Sequence, residues 1–305
     1  MLDKFVERKA QQVVRVRRDL YGVNFNSDRV RFDFVAHSMG TLVLRYWLMY
    51  GGADLPEDGS LPELTWAGAR RTACAIFVAP PNLGSVSAIT SITKGREFGP
   101  LQPFYPPALI GSHVAIYQVM ARTRHNRILL GSQDGTPAGN HFDAAMWEEY
   151  GWGLMDPSQD DVLSFLIPDA PNRTERKRRA RAHLEQVLKR AEQFQRAMDR
   201  PGTPRGTDLF LIVGTGLDTP AAAILNPSTG RLDPSVMEEG DGTVLRASAL
   251  HDERQGGNTH TGRNRPVRYR TTLLLPGEHV NITHNPVFAD NLLYWLLDNP
   301  QINRG

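Results

Sequence analysis

The stretch Arg31-Phe32-Asp33-Phe34-Val35-Ala36-His37-Ser38-Met39-Gly40-Thr41-Leu42-Val43-Leu44-Arg45-Tyr46-Trp47-Leu48 decides the fold. A short apolar run, Phe32 to Ala36, stops at small and polar residues. A helix-period run starts directly after it, with Leu42, Tyr46 and Met49 beside Val43 and Trp47. Ser38 stands between the two, with Ala36 two residues before it and Gly40 two residues after. Those small residues allow a backbone tight enough to lift the serine side chain above both elements. Strand, sharp turn and helix around a serine make the nucleophile elbow, usually written G-x-S-x-G. Ala36 stands where that pattern has its first glycine, so the strict signature is missed by one methyl group. An ordinary turn is the plain alternative, and the strand before and helix after weigh against it.

At 305 residues the chain is long enough for a full core, as one large domain or two small ones. Its 40% hydrophobic and 22% charged content are those of a soluble globular protein. A net charge of +2 is too small to imply a nucleic-acid or membrane partner. Cys74 is the one cysteine and lies inside an apolar run, so it reads as a buried thiol and excludes an internal disulfide. Met1-Leu2-Asp3-Lys4 leads into a charged segment rather than a signal peptide, and no apolar run approaches 18 residues. The expectation for the chain as given is a cytoplasmic protein.

Outward from the elbow, residues 2 to 20 read as an amphipathic helix with Phe5, Val6, Ala10, Val13 and Val14 on one face. Ala73 to Ala79 reads as a buried parallel strand that ends in the turn Pro80-Pro81-Asn82-Leu83-Gly84-Ser85. From Ser85 to Asp169 the periodicity is poor, with Pro100, Pro103, Pro106 and Pro107 among aromatic residues. That is too long for a loop, and an inserted cap is expected. Within it, Trp147-Glu148-Glu149-Tyr150-Gly151-Trp152 could line an acyl pocket or pack on the main sheet equally well. Residues 172 to 199 read as a helix whose Arg-dense start is a solvated face. Asp208 to Val213 is a third strand, followed by the polar loop Glu238 to Val244 and a Gly/Asn-rich stretch to Asn264. A fourth strand, Val267 to Leu275, leads through Gly277-Glu278-His279 to a closing helix from about Pro286 to Leu297. Apolar strands alternating with helices predict an α/β chain with a mostly parallel sheet covered on both faces. The division expected is 1–84 and 171–305 as two parts of the core, with 85–170 as cap.

Serine is a poor nucleophile near neutral pH unless a base takes its proton and a carboxylate fixes that base. In strand-turn-helix hydrolases the acid and then the histidine follow the serine on later loops. His279 meets that demand, after the last strand and before the last helix, and His284 is the alternative five residues on. His37 is a poor candidate for base because adjacent side chains at the elbow point apart; His251 and His260 lie in loops. Asp218, right after the third strand, and Asp241, in a tight Gly-Asp-Gly turn, compete for the acid on nearly equal terms. No H-x-x-x-H or paired Cys/His spacing points to a metal.

The elbow, the Ala79 to Ser85 turn, the Trp147 to Gly153 segment, Gly240-Asp241-Gly242-Thr243-Val244 and Glu278-His279 occur together in order. As a set they resemble the lecithin:cholesterol acyltransferase-like branch of the α/β hydrolases, from about residue 28 to the end. That resemblance implies Ser38 as nucleophile, Asp241 rather than Asp218 as acid and His279 as base. It implies carboxylic esters of acyl chains as substrates, cleaved or transferred through an acyl-enzyme, with no cofactor. Lipid or membrane contact would run through the cap, and no nucleic acid is involved.

One departure from the family matters. An acyl-transfer site needs two backbone N–H donors for the oxyanion. Met39, after the nucleophile, supplies one; the other usually comes from a loop after an early strand. Only 37 residues precede Ser38 and they hold no such loop, so the N-terminal strands of the fold are expected to be missing from this chain. A shortened enzyme is the reading favoured from sequence. A non-catalytic interaction module is its rival.

Overall fold

The protein is described by a computed structural model over residues 1–97, 102–252 and 267–298. These form two compact units, residues 1–80, 197–216 and 267–298 in the first and 81–196 and 217–252 in the second. Pro100, His260 and the Gly/Asn-rich stretch up to Asn264 lie outside the described residues.

The first unit is built on a four-stranded sheet, β1 (Phe32–His37), β2 (Thr72–Val78), β3 (Asp208–Thr215) and β4 (Thr271–Pro276), side by side in that order. Every pairing is parallel, with Val35 beside Ile76, Ile76 beside Phe210 and Ile212 beside Leu273. Strands buried on both faces read as unbroken apolar runs. Ala73 to Val78 and Leu209 to Val213 are such runs, and they fill the middle of this sheet. β1 at one end instead alternates between exposed and half-buried positions, so Asp33 and Val35 face outward.

Helix α1 (Leu2–Tyr21) and α2 (Met39–Tyr50) pack in the same unit. Trp47 of α2 lies against Phe34 with ring centres 5.2 Å apart, and its indole N–H donates to Asp3 of α1 at 3.0 Å. Arg71 clasps Glu7 of α1 through two bonds of 2.7 Å. Gly22, at φ 62°, takes the left-handed conformation that ends α1. Across the sheet, α3 (Pro286–Leu293) buries Phe288, and the π turn Tyr294–Asp298 that continues it stacks Trp295 on Phe210 at 4.7 Å. Cys74 lies in this core and burial pushes its thiol up to about 12, the inert state expected from its setting.

The second unit departs from the sequence expectations in two places. The helix Val86–Lys94 follows the turn directly, with Ser85 capping it through a bond from Ser87 N–H. More substantially, residues 217–237, given no element from the sequence, and the start of the loop read at Glu238 form an antiparallel hairpin of Leu217–Leu225 and Leu232–Gly240, with Ile128–Leu130 alongside in parallel. Pro220 and Pro234 hide these strands from pattern reading, because proline cannot donate to a ladder; the register shifts beside Pro220. The segment expected as cap, 85–170, falls wholly within this unit. Its tryptophans serve packing: Trp147 and Trp152 are buried with ring centres 5.6 Å apart. Their N–H groups donate to His141 O and Gly230 O. The Arg-dense start of the helix Arg173–Met198 is an exposed ion-pair face, Glu175 bridging Arg178 and Arg179.

Candidate active site

Ser38 stands where β1 ends and α2 begins. Its N–H still donates to Val78 O at 2.9 Å, the last rung of the β1–β2 ladder. Its φ of 53° and ψ of −131° then turn the chain out of the sheet. A non-glycine residue in such a conformation costs about 1–3 kcal/mol and persists only where neighbours hold it. Thr41 does so, since its N–H and its hydroxyl both donate to Ser38 O, at 3.0 and 2.5 Å. The elbow expected from the sequence is therefore present as a strained and pinned turn. Gly40 is not required by crowding: a Cβ there would meet nothing within 4 Å. Met39 opens α2, where the first backbone N–H groups of a helix have no intrahelical acceptor.

His279 meets this serine from the far end of the sheet, its Nε2 lying 2.7 Å from Ser38 Oγ. The loop that carries it is short and tied at several points. Gly277 N–H donates to Thr215 O at 3.2 Å, and Asn285 reaches back to Pro276 O at 3.3 Å. The Glu278 carboxylate accepts from the N–H groups of Val280 and Asn281, at the start of the 3-10 turn Asn281–His284. His279 itself is 5% exposed. His284 is exposed on the following turn. Of the two histidines, it is His279 that lies against the serine.

Both candidate acids belong to the second unit. Asp241 is buried in the turn after the hairpin. Its Oδ1 accepts from Thr243 N–H at 3.0 Å and Val244 N–H at 2.7 Å, which fixes the carboxylate. Gly242, at φ 86°, lets the turn close, and Thr219 Oγ1 accepts its N–H at 2.8 Å. Ser85 donates to Thr243 O at 2.6 Å, so two of the motifs read from the sequence brace each other here. Asp218 is exposed within the hairpin, opposite Glu239. A carboxylate that orients a histidine acts best shielded from water, and burial separates the two candidates that sequence position left level.

The sequence weighs His37 only as a base and misses its contact with the His279 backbone. The His37 Nε2 lies 2.8 Å from His279 O, and the two imidazoles are 5.0 Å apart at 40°. Neighbouring side chains do point apart at an elbow, but the returning loop brings its backbone to the one and its ring to the other. Nothing in a linear pattern signals a contact 242 residues long.

No protein-family model matches the chain, and no curated protein matches its sequence. Among the described residues no helix is long and apolar enough to cross a membrane. A chain in the crystal structure of the Tle4-Tli4 complex is similar, with a TM-score of 0.60 and 12% identity over 96% of this chain and 66% of that one. The chain thus spans somewhat less than two thirds of the length of that relative. At 12% identity the likeness is one of fold alone, and it agrees with an α/β chain organised on a mostly parallel sheet.

Proposed function

We propose that the chain is a serine hydrolase of the α/β-hydrolase type, acting on carboxylic esters of lipid-like character. The observation that carries the reading is the 2.7 Å approach of Ser38 Oγ and His279 Nε2 at a strained strand-to-helix turn. Strain of this kind concentrates at functional sites, and a serine bonded to an imidazole is the activated pair that acyl transfer needs. In the proposed reaction His279 Nε2 takes the Ser38 proton as Oγ attacks the ester carbonyl. The imidazolium then gives that proton to the leaving alcohol, and an acyl-Ser38 ester remains. Water, or another alcohol in the transferase variant, attacks this ester with His279 again as base. Met39 N–H is the proposed donor to the oxyanion, and Asp241 the proposed carboxylate behind His279. Residues 85–170 are the proposed cap, through which a lipid substrate would make contact.

A fluorophosphonate probe tests the reading without knowledge of the substrate. Wild-type protein is expected to carry one adduct, on Ser38 by peptide mass spectrometry, and Ser38→Ala none while keeping the wild-type melting temperature. Folded wild-type protein that takes no label would sink the proposal.

A further inference from the structure

We propose that His37 is a positioning residue that sets the catalytic base. This rests on the reading of Ser38 and His279 given above and assigns a role to a third side chain of the same unit. The geometry of the sheet creates the need. β1 and β4 are the two outer strands, with β2 and β3 between them. At about 4.8 Å per strand the base must reach across roughly 14 Å to meet a serine that follows β1. The span begins at Pro276, and His279 is only three residues further on. A side chain carried that far from its own strand needs a hold at the distal end.

His37 and Ser38 supply that hold as a pair. Ser38 meets the His279 ring at Nε2, and His37 meets the His279 backbone at its carbonyl. One residue is thus gripped at both ends by two consecutive residues of the elbow. A carbonyl oxygen only accepts, so the His37 Nε2 must carry the hydrogen in this bond. His279 requires the reverse: its Nε2 must be bare to take the serine proton, which leaves its own hydrogen on Nδ1. The two rings therefore work as opposite tautomers 5.0 Å apart. The ties at Thr215, Glu278 and Asn285 hold the two roots of the loop. The bond from His37 fixes the residue that carries the base.

The consequence concerns the reactive step rather than affinity. Displacing a base by about 1 Å costs on the order of 10²-fold in rate while leaving binding contacts in place. The test compares His37→Phe, which fills the site and cannot donate, with His37→Gln, whose amide N–H reaches about as far as Nε2. Fluorophosphonate inactivation gives the first-order limit and the half-saturating probe concentration separately, and amide hydrogen exchange reports order at residues 277–281. His37→Phe is expected to lower the first-order limit tenfold or more, with the half-saturating concentration and melting temperature little changed and faster exchange at 277–281. His37→Gln is expected to recover most of the rate and the protection. Should His37→Phe not fold, His37→Asn, whose shorter amide falls short of the carbonyl, takes its place.

Labelling of the non-donating variant at the wild-type rate would overturn the inference and leave the nucleophile reading intact. So would His37→Gln as slow as His37→Phe with both losing thermal stability, which is the signature of packing alone. If wild-type protein is folded and unlabelled, the nucleophile reading itself fails and the positioning role falls with it.

Discussion

At the scale of single residues, the two acidic candidates differ in what surrounds them. Asp241 is buried and its carboxylate is held by two backbone N–H donors, whereas Asp218 is exposed opposite Glu239. If Asp241 fixes the tautomer of His279, Asp241→Asn presents an amide N–H toward a ring that must itself donate, and the base is turned the wrong way. That change cost about 10⁴-fold in a well-studied serine protease, and a loss of roughly 10³–10⁴ in esterase kcat is expected here. Asp218→Asn is expected to stay within about threefold, since a change at an exposed side chain is usually mild. Steady-state hydrolysis of a short-chain nitrophenyl ester by the two variants decides between them, and a larger loss in Asp218→Asn would reverse the assignment. The same contrast of setting explains what was legible at this scale. Ser38 is marked as a candidate by the strand, turn and helix around it, and His279 by chain order with His284 as the alternative. The ranking of two aspartates depends on burial, and the role of His37 on a partner 242 residues away, and neither is written in local sequence.

At the scale of elements, the parallel sheet was readable and the hairpin was not, for one physical reason. Strands covered on both faces must be apolar throughout, so Ala73–Val78 and Leu209–Val213 stand out from their surroundings. The strands Leu217–Leu225 and Leu232–Gly240 carry a proline each; the first is buried mainly through small residues, Ala221 to Ala223, and the second is largely exposed, so only their partners make them strands. Helix α1 is an intermediate case. Its period is plain, but of its apolar residues only Val6 and Ala10 are buried. Much of its attachment is therefore assigned to polar groups, foremost the bidentate contact of Glu7 with Arg71. Glu7 is held below the ordinary carboxylate range by its bonds to Arg71, against the opposing effect of burial. The side chain of Glu7 is 45% exposed, so solvent screens the pair and its worth is modest. Glu7→Gln is expected to cost about 1 kcal/mol, a drop in melting temperature of roughly 2–4 °C for a chain of this size. Because the folded pKa is the lower one, the ionised pair adds stability above the unfolded value of 4.5 and loses it as pH falls below. The variant and wild type should accordingly converge in acid. A constant difference between them from pH 7 to pH 3 would show that Glu7 acts by packing and not by charge.

At the scale of the whole molecule, the chain carries a net charge of only +2 at pH 7 with its nine histidines neutral, and on the way to pH 5 each histidine takes up a proton as readily as its setting allows. His141 is the clearest. It lies 4% exposed in the second unit, its Nε2–H donating to Ala121 O at 2.8 Å and its own carbonyl accepting from Trp147. Burial drives its pKa down from 6.5 to about 4, with the bond to Ala121 opposing. The unfolded chain therefore takes up a proton as pH passes 6.5, while the folded chain resists until about pH 4. Stability is full above 6.5 and drains away over that window, by roughly 3 kcal/mol in all. His141→Gln keeps a neutral N–H donor and cannot titrate. It is expected to lower stability at pH 7, through imperfect packing, and to flatten the dependence on pH. Urea unfolding between pH 7 and pH 4.5 would measure this directly. Within the window the free energy of the wild type should fall about 1.4 kcal/mol per pH unit more steeply than that of the variant. Parallel slopes would mean that His141 takes up its proton at the same pH folded and unfolded, which its bond to a carbonyl favours and its burial opposes. Steeper loss in the wild type would show that burial governs the titration of His141, so that a histidine outside the proposed chemistry contributes to the loss of stability in acid.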